Sequence, residues 1–336
     1  MPALAIADAL RADGAQVSFV GGERAEAELV PAAGYELDAI RVEGLSRTNP
    51  LKAARAAGRA GAAVGVARRI LRTRRPDVVL GGGGYVAGPV GLAAVLRRTP
   101  LVLTEADSHL GVTNRLLAGR ARRVCLAFPL AGLEPPRYLV TGRPVPPPAT
   151  DRAAARARFG LGADEQVVVV FGGSLGARSI NTAALEGLAD APYRVLHAAG
   201  RRDFASLRSP REGYDLREYI DGFGEALAAA DLVVGRSGGS VFEIAAAGKP
   251  AVLVPYPHAA ADHQTANARW MVDAGAAELV RDAELTGPVL RSLVDDLLGD
   301  RGRLAAMAEA SAGLARPDAA RVIAGEVLAA AAGSPA

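Results

Sequence analysis

The residues with the clearest chemical potential sit in three turns where an apolar strand runs through glycines into a helical pattern. The first is Val167-Val168-Val169-Val170-Phe171 followed by Gly172-Gly173-Ser174-Leu175-Gly176-Ala177-Arg178. A buried strand turning this way leaves free backbone N–H groups and the positive end of a helix dipole pointing outward, which suits a phosphate. Gly172, Gly173 and Gly176 let a ligand approach the backbone, and the Ser174 hydroxyl can donate to a phosphate oxygen. An unliganded βα turn would use the same run, but the strand and helix context favours a phosphate site. The Gly-Lys-Ser/Thr ending of a Walker loop is missing, and residues 193–199 offer no acid for the ribose of NAD.

The second turn, Asp77-Val78-Val79-Leu80 into Gly81-Gly82-Gly83-Gly84-Tyr85, also stands at the carboxyl end of a strand, where glycines admit a bulky ligand. The third is Leu232-Val233-Val234-Gly235 into Arg236-Ser237-Gly238-Gly239-Ser240-Val241-Phe242-Glu243. Glu243 falls about a turn into the helix and can accept two hydrogen bonds from a ribose diol; a solvated glutamate is the plainer alternative. Tyr256, His258, Asp262, His263, Gln264 and Asn267 then follow closely, a set suited to sugar hydroxyls. His258 and His263 lack a firm third ligand, so no metal is assigned. Asp107 stands alone in Thr104-Glu105-Ala106-Asp107-Ser108-His109, without the Asp-x-Asp pair that would hold a divalent ion on a diphosphate. Leaving-group charge would then be met by helix N-termini and backbone donors, and no cofactor is expected.

Such loops need strands to carry them, and short β-type runs alternate with Ala, Leu and Arg-rich stretches along the whole chain, the pattern of an α/β protein with parallel sheets. Strands are expected at 16–20, 77–80, 101–104, 123–127 and 138–141, and in a second set at 166–171, 194–198, 232–235, 251–255 and 277–280. The prolines of Arg143-Pro144-Val145-Pro146-Pro147-Pro148 read as a linker. The expected division is 1–145, 146–316 and a terminal helical segment 317–336 that packs back on the first domain. At 336 residues the chain suits two domains. Its longest apolar runs are far shorter than the roughly 20 residues of a membrane span. One cysteine, Cys125, in an apolar run reads as a small buried hydrophobe, and the expected compartment is the cytoplasm. A net charge of +3 gives no reason to expect nucleic acid, but between Arg41 and Arg75 ten basic residues accompany one acid, Glu43. That run is either a solvated helix face or a surface for anionic lipid headgroups.

In order and spacing these segments resemble the MurG family of bacterial cell-wall glycosyltransferases across nearly the whole chain. The resemblance rests on Glu28-Leu29-Val30-Pro31, Pro76-Asp77-Val78-Val79, Gly84-Tyr85-Val86-Ala87-Gly88-Pro89, residues 111–114, residues 172–178 with Asn181, Tyr219-Ile220-Asp221, residues 243–250 and His263-Gln264 with Asn267-Ala268. It implies two Rossmann-like domains facing a central cleft, the GT-B architecture. It also implies inverting, metal-independent transfer of N-acetylglucosamine (GlcNAc) from UDP-GlcNAc to the undecaprenyl-linked acceptor lipid I, giving lipid II, at the inner face of the cytoplasmic membrane. Carried over by residue, Ser174 with Gly172, Gly173 and Gly176 would meet the diphosphate, the Ile220 backbone the uracil, and Glu243 the ribose. Gln264 would hold GlcNAc hydroxyls, with Gly239, His263 and Asn114 as further substrate contacts. A related transferase with another lipid or small-molecule acceptor, or a noncatalytic nucleotide-sugar-binding subunit, are the alternatives.

Three departures bear on the acceptor side. The family's His-Glu-Gln-Asn segment reads Thr104-Glu105-Ala106-Asp107, its Asn-Pro-Val-Arg reads Arg143-Pro144-Val145-Pro146, and the turn from Arg236 to Glu243 is one residue short. The resemblance also implies a strand ending in Gly-Gly-Thr-Gly-Gly-His just before Pro2, whose histidine is the family's proposed general base and is expected upstream of Met1. The chain is therefore expected to lack its first strand through truncation or a misplaced start, and to be poorly active, with Glu105 and Asp107 as the catalytic carboxylates left in place.

Overall fold

The computed structural model describes residues 2–23, 25–40 and 50–333, with side chains throughout except at 25 and 50–60. Met1, ahead of which the family's histidine is expected, lies outside the described residues. Two compact units emerge, one from the chain up to Pro144 together with the segment from Asp318 onward, the other from Val145–Pro317.

The first unit runs α1 (Pro2–Ala12), β1 (Ser18–Gly21), α2 (Ala25–Ala32), β2 (Glu36–Ala39), α3 (Pro50–Arg74), β3 (Val79–Gly81), α4 (Gly84–Arg97), β4 (Leu101–Glu105), α5 (Val112–Leu117), β5 (Arg123–Leu126) and β6 (Tyr138–Val140). All its strand pairs are parallel, but they form two ladders: β1 with β2, and a four-stranded sheet in the order β3-β4-β5-β6. Among the described residues no strand joins β1 to β3. Side chains still connect the ladders, because Val20 packs on the core of Val79, Leu101, Leu103, Val124 and Leu126. Cys125 lies inside β5 at 1% exposure, and burial pushes its thiol up to about 12, so it behaves as a small hydrophobe.

The second unit runs α6 (Arg152–Arg158), β7 (Val167–Phe171), α7 (Arg178–Gly187), β8 (Arg194–Ala198), β9 (Tyr214–Arg217), α8 (Phe223–Ala229), β10 (Leu232–Gly235), α9 (Val241–Ala246), β11 (Ala251–Leu253), α10 (His263–Asp273), β12 (Ala277–Leu279), α11 (Gly287–Gly299) and α12 (Arg301–Gly313). Its six strands form one parallel sheet in the order β12-β11-β10-β7-β8-β9. The four valines of β7 are fully buried, as befits β-branched residues in a strand covered on both faces. Ile180, Ala183, Ala184 and Gly187 recur at helical spacing and turn one face of α7 onto that sheet. Helix starts are marked by the side chains of Asp151, Thr286 and Asp300, which accept from the backbone N–H groups of Ala154, Val289 and Arg303.

The chain ends in α13 (Ala319–Ala331), which packs on α1, β4 and β5 through Ile323, Ala324, Val327 and Ala330 against Ile6, Leu10, Val102 and Cys125. Arg123 and Glu326 add an ion pair of 2.6 Å. Each of the ten expected strands appears within two residues of its expected limits. Two short edge strands, β2 and β9, were not foreseen from sequence. No described helix is long and apolar enough to cross a membrane.

Candidate functional site

In the second unit the strand order reverses between β7 and β10: β8 and β9 extend to one side, β10, β11 and β12 to the other. Two loops leaving adjacent strands in opposite directions open a crevice at their carboxyl ends, where open α/β sheets hold ligands. Those two loops carry Gly172, Gly173, Ser174 and Gly176 after β7, and Gly239 before Glu243 after β10.

The glycine loop is shaped by what it touches. Side chains at Gly172 and Gly176 would collide with Ala177 and with the Ala199 carbonyl, whereas Gly173 faces open space within 4 Å. Gly173 and Gly176 have φ of +87° and +83°, a region glycine enters without the penalty other residues meet. Arg202 donates to the Gly176 carbonyl (3.1 Å), and the loop hands over to α7 at Arg178. The exposed N-terminus of α7 therefore presents backbone donors and a positive dipole end beside Ser174.

Glu243 stands in the first turn of α9 and lines a cavity of about 370 Å³ with Pro146, Pro147, Pro148, Gly222 and Phe223. The proline run read as a linker thus supplies a wall of this cavity, a role its composition does not announce. Ile220 lies two residues before Gly222 and is 2% exposed, which anchors this turn in the core. Arg158 steadies the same turn through the Asp221 carbonyl (3.2 Å) and Glu225 (2.8 Å).

Gln264 and His263 open α10. The Gln264 side-chain oxygen accepts from the Tyr256 N–H (3.0 Å), which leaves its amide N–H groups as the part directed past Gly238. His263 donates from Nδ1 to the Ala260 carbonyl (2.8 Å). The preceding loop holds two non-glycine residues in left-handed backbone, Ala261 and Asp262, both at φ +52°; such strain persists only where the surroundings enforce it. Asn267 is 2% exposed and donates to the Ser237 carbonyl (3.0 Å), so it braces the β10 loop. Arg236, foreseen only as part of the loop, draws together the Val254 and Pro255 carbonyls, Asp282 (2.5 Å) and Ser179 (3.0 Å). Among the described residues no three His, Cys, Asp or Glu side chains converge as metal ligands.

In the first unit the glycine turn after β3 meets the loop after β4. Glu105 is 7% exposed and both its oxygens are engaged, accepting from Gly111 N (2.8 Å), Asn114 Nδ2 (2.9 Å) and Asp107 N (3.2 Å). Asn114, at 1% exposure, also donates to the Thr104 carbonyl (2.9 Å) and lies beside Gly83. Thr113 ties α5 to the start of α4 through the Gly84 carbonyl (3.1 Å). Glu105 and Asn114 are thus internal struts of the loop, and Asp107 is the half-exposed carboxylate the loop presents. Of the basic run, residues 41–49 lie outside the described residues, as do the side chains of Lys52, Arg55 and Arg59. Arg68, Arg69, Arg72, Arg74 and Arg75 are exposed; Arg74 is paired with Glu36 and with Asp38.

Comparison with known proteins identifies the family and the fold. The glycosyltransferase family 28 N-terminal domain matches residues 1–126, and the family 28 C-terminal domain matches residues 167–323. The chain is 46% identical to the UDP-N-acetylglucosamine–N-acetylmuramyl-(pentapeptide) pyrophosphoryl-undecaprenol N-acetylglucosamine transferase of Moorella thermoacetica, over 96% of this chain and 93% of that protein. It is 43% identical to the enzyme of the same name from Halorhodospira halophila, over 95% and 91%. The crystal structure of Acinetobacter baumannii MurG superposes with a TM-score of 0.80 at 30% identity, over 97% of this chain and 95% of that one. The calicheamicin glycosyltransferase CalG4, at 20% identity and a TM-score of 0.66, shares the fold. With both domain families matched in order and relatives aligned over almost its full length, this chain belongs to the MurG family of two-domain GT-B glycosyltransferases.

Proposed function

We propose that the protein transfers GlcNAc from UDP-GlcNAc to N-acetylmuramyl-(pentapeptide) pyrophosphoryl-undecaprenol, releasing UDP, in peptidoglycan synthesis. The observation that carries this reading is the 46% identity over 96% of the chain to a transferase of that name. The switch-point loops supply matching chemistry: the Ser174 loop and the α7 N-terminus for the diphosphate, Glu243 beside the proline-walled cavity for the ribose, and the Ile220 backbone for the uracil. The Gln264 amide N–H groups and His263 face the sugar. The reaction is a single inverting displacement. The acceptor C4 hydroxyl oxygen bonds to the anomeric carbon, the bond from that carbon to the β-phosphate oxygen breaks with its electrons, and the hydroxyl proton passes to a base. Charge growing on the β-phosphate is met by the backbone donors of residues 172–178, so no metal or cofactor is invoked.

Asp107 is the better placed of the two candidate bases, because both oxygens of Glu105 already accept hydrogen bonds within the loop. Glu105 and Asn114 then act by holding Asp107 in position. Positioned proton transfer is worth roughly 10² to 10⁴ in rate. The test is product analysis by mass spectrometry with UDP-GlcNAc and the lipid-linked acceptor, for the native chain and Asp107→Asn. Acceptor-dependent disaccharide formation that falls about a hundredfold in the variant is the expected result. Binding of UDP-GlcNAc without any acceptor-dependent turnover, at any protein concentration, would make the chain a binding subunit instead.

The same reading places the protein on the inner face of the cytoplasmic membrane. Exposed Leu92 and Leu96 on α4 and Val112 and Leu116 on α5 stand one helical turn apart in pairs, with exposed Arg97, Arg98 and Arg115 next to them in sequence. α3, with Arg68, Arg69 and Arg72, packs on α4. Apolar side chains flanked by arginines suit an anionic bilayer surface.

A further inference from the structure

Behind the glycine loop lies a line of buried polar side chains to which the proposed mechanism assigns no role. His197 on β8 is fully buried, Asn181 on α7 is 1% exposed and Tyr214 on β9 is 3% exposed. Buried polar groups in a sheet core require partners, and these specify one another. The Asn181 side-chain nitrogen donates to the Ala199 carbonyl at 2.9 Å and lies 3.5 Å from the Asp203 carboxylate. Its oxygen is therefore the atom that faces His197 Nε2, at 3.1 Å. An amide oxygen only accepts, so Nε2 carries the proton and Nδ1 is left to accept from the Tyr214 hydroxyl, at 2.8 Å. Burial pushes the imidazole down to about 4, which keeps it neutral, and the two hydrogen bonds hold this tautomer in place. Donors thus run in one direction, from Tyr214 through His197 and Asn181 to the Ala199 carbonyl.

The end of that line touches the glycine loop. A side chain at Gly176 would collide with the Ala199 carbonyl oxygen, and one at Gly200 with the Gly176 backbone. Arg202 donates to the Gly176 carbonyl at 3.1 Å, and the Arg201 N–H to the Ser174 carbonyl at 3.4 Å. The turn 199–202 is therefore the brace on which the loop rests, and Asn181 holds its first carbonyl.

We propose that Tyr214, His197 and Asn181 are positioning residues that hold the turn 199–202, and through it the loop 172–176, in the conformation that receives the nucleotide's diphosphate. This rests on the reading of that loop as the diphosphate site. None of the three touches the ligand; they act through Ala199 and Gly176. Glu243 lies on another loop, and Ile220 stands two residues beyond Glu218, whose carbonyl accepts from the Gly200 N–H at 3.0 Å. Gly176 and Ser174 meet the turn 199–202 directly, so the network bears first on the phosphates.

The test compares UDP with uridine as inhibitors of transfer, since only UDP carries the phosphates. The variants are Tyr214→Phe, which removes the first donor, Asn181→Asp, which sets an oxygen against the Ala199 carbonyl, and His197→Gln, which keeps a donor toward Asn181. Loss of one buried hydrogen bond should raise the UDP inhibition constant about five- to twentyfold in Tyr214→Phe and more in Asn181→Asp. His197→Gln should stay nearest the native value, and the uridine constant should move less than about twofold throughout. If the network is packing alone, UDP and uridine weaken together or not at all, and the inference is overturned; Tyr214→Phe, the mildest change, decides this even if Asn181→Asp does not fold. Ser174→Ala separates the two readings. A selective UDP loss there, with none in the network variants, removes this inference and leaves the site, whereas no selective loss in any variant removes the diphosphate site as well.

Discussion

Gly176 packs against the carbonyl of Ala199 so closely that any side chain at residue 176 would take the oxygen's place, and the backbone there stands at φ +83°. Gly173, three residues earlier at φ +87°, has no atom within 4 Å of where a side chain would begin. Alanine should therefore do different things at the two positions. Left-handed backbone costs a non-glycine residue roughly 1 to 2 kcal/mol, and that is all Gly173→Ala should lose in unliganded stability. Gly176→Ala should lose more, because its neighbour is backbone and must move. Both should weaken UDP-GlcNAc binding about tenfold or more in calorimetry, the first because the ligand needs the open space above Gly173. Full affinity in Gly173→Ala would show that no ligand group approaches there.

Glu243 offers a direct measure of the ribose contact. A charged hydrogen bond to a ligand is worth about 1.5 to 3 kcal/mol, so Glu243→Ala should weaken UDP-GlcNAc roughly ten- to a hundredfold, and Glu243→Gln less. Both variants should bind 2′,3′-dideoxy-UDP as the native chain does. If Glu243→Ala binds UDP-GlcNAc with native affinity, the ribose is held elsewhere.

Legibility of the sequence followed how local each signal is. Val167 to Phe171 with its glycines, and Leu232 to Gly235 with Glu243 beyond, declare a central strand and a ligand turn within a dozen residues each, and the switch point lies between them. Edge strands β2 and β9 carry Glu36 with Asp38 and Asp215 with Arg217, are half exposed, and exist because a distant partner pairs with them. Pro146 to Pro148 have the composition of a linker and become a cavity wall only because the start of α8 faces them. Glu105 reads as an acid in a loop, and only the positions of Gly111 and Asn114 turn it into a strut. His197 and Tyr214, 17 residues apart on neighbouring strands, have no motif that joins them.

His197 makes stability depend on pH. Its folded value of about 4 lies below the ordinary 6.5, so near neutrality both folded and unfolded states hold it uncharged. As pH falls below 6.5 the unfolded chain takes the proton first, and stability is lost progressively until about pH 4. Between pH 7.5 and 5 this site should cost the native chain about 2 kcal/mol that His197→Gln does not lose. Denaturant unfolding of both proteins at the two pH values checks the difference, and an equal loss in both would mean the proton reaches His197 in the folded state.

Membrane contact should depend on Leu96 and Leu116, 55% and 76% exposed on α4 and α5. Replacing either with Asp removes apolar area and adds a charge that anionic headgroups repel, so partition onto vesicles rich in phosphatidylglycerol should fall about tenfold or more. Each nearby arginine contributes about 1 kcal/mol at most, and that part should fade as added salt shortens the screening length. Cosedimentation that ignores both substitutions, lipid charge and salt would reduce these helices to ordinary solvated faces.

The split sheet of the first unit predicts where the protein opens first. β1 and β2 form a two-stranded ladder of four residue pairs, with burial no better than half along most of its length, while β7 is buried at every position between two hydrogen-bonded neighbours. Two strands alone are marginal in water, and here they hold through side chains such as Val20, Phe19 and Tyr35 rather than through the main sheet. The amides of β1 and β2 should therefore exchange through local opening at a free energy far below that of β7 and β8. In denaturant the first unit should unfold before the second, so that fluorescence of Trp270, on α10 in the second unit, and far-UV dichroism trace two transitions rather than one. Hydrogen exchange that protects Phe19 and Val20 as strongly as Val169 and Val170, together with coincident transitions by both probes, would mean that side-chain packing alone welds the two ladders into one cooperative sheet.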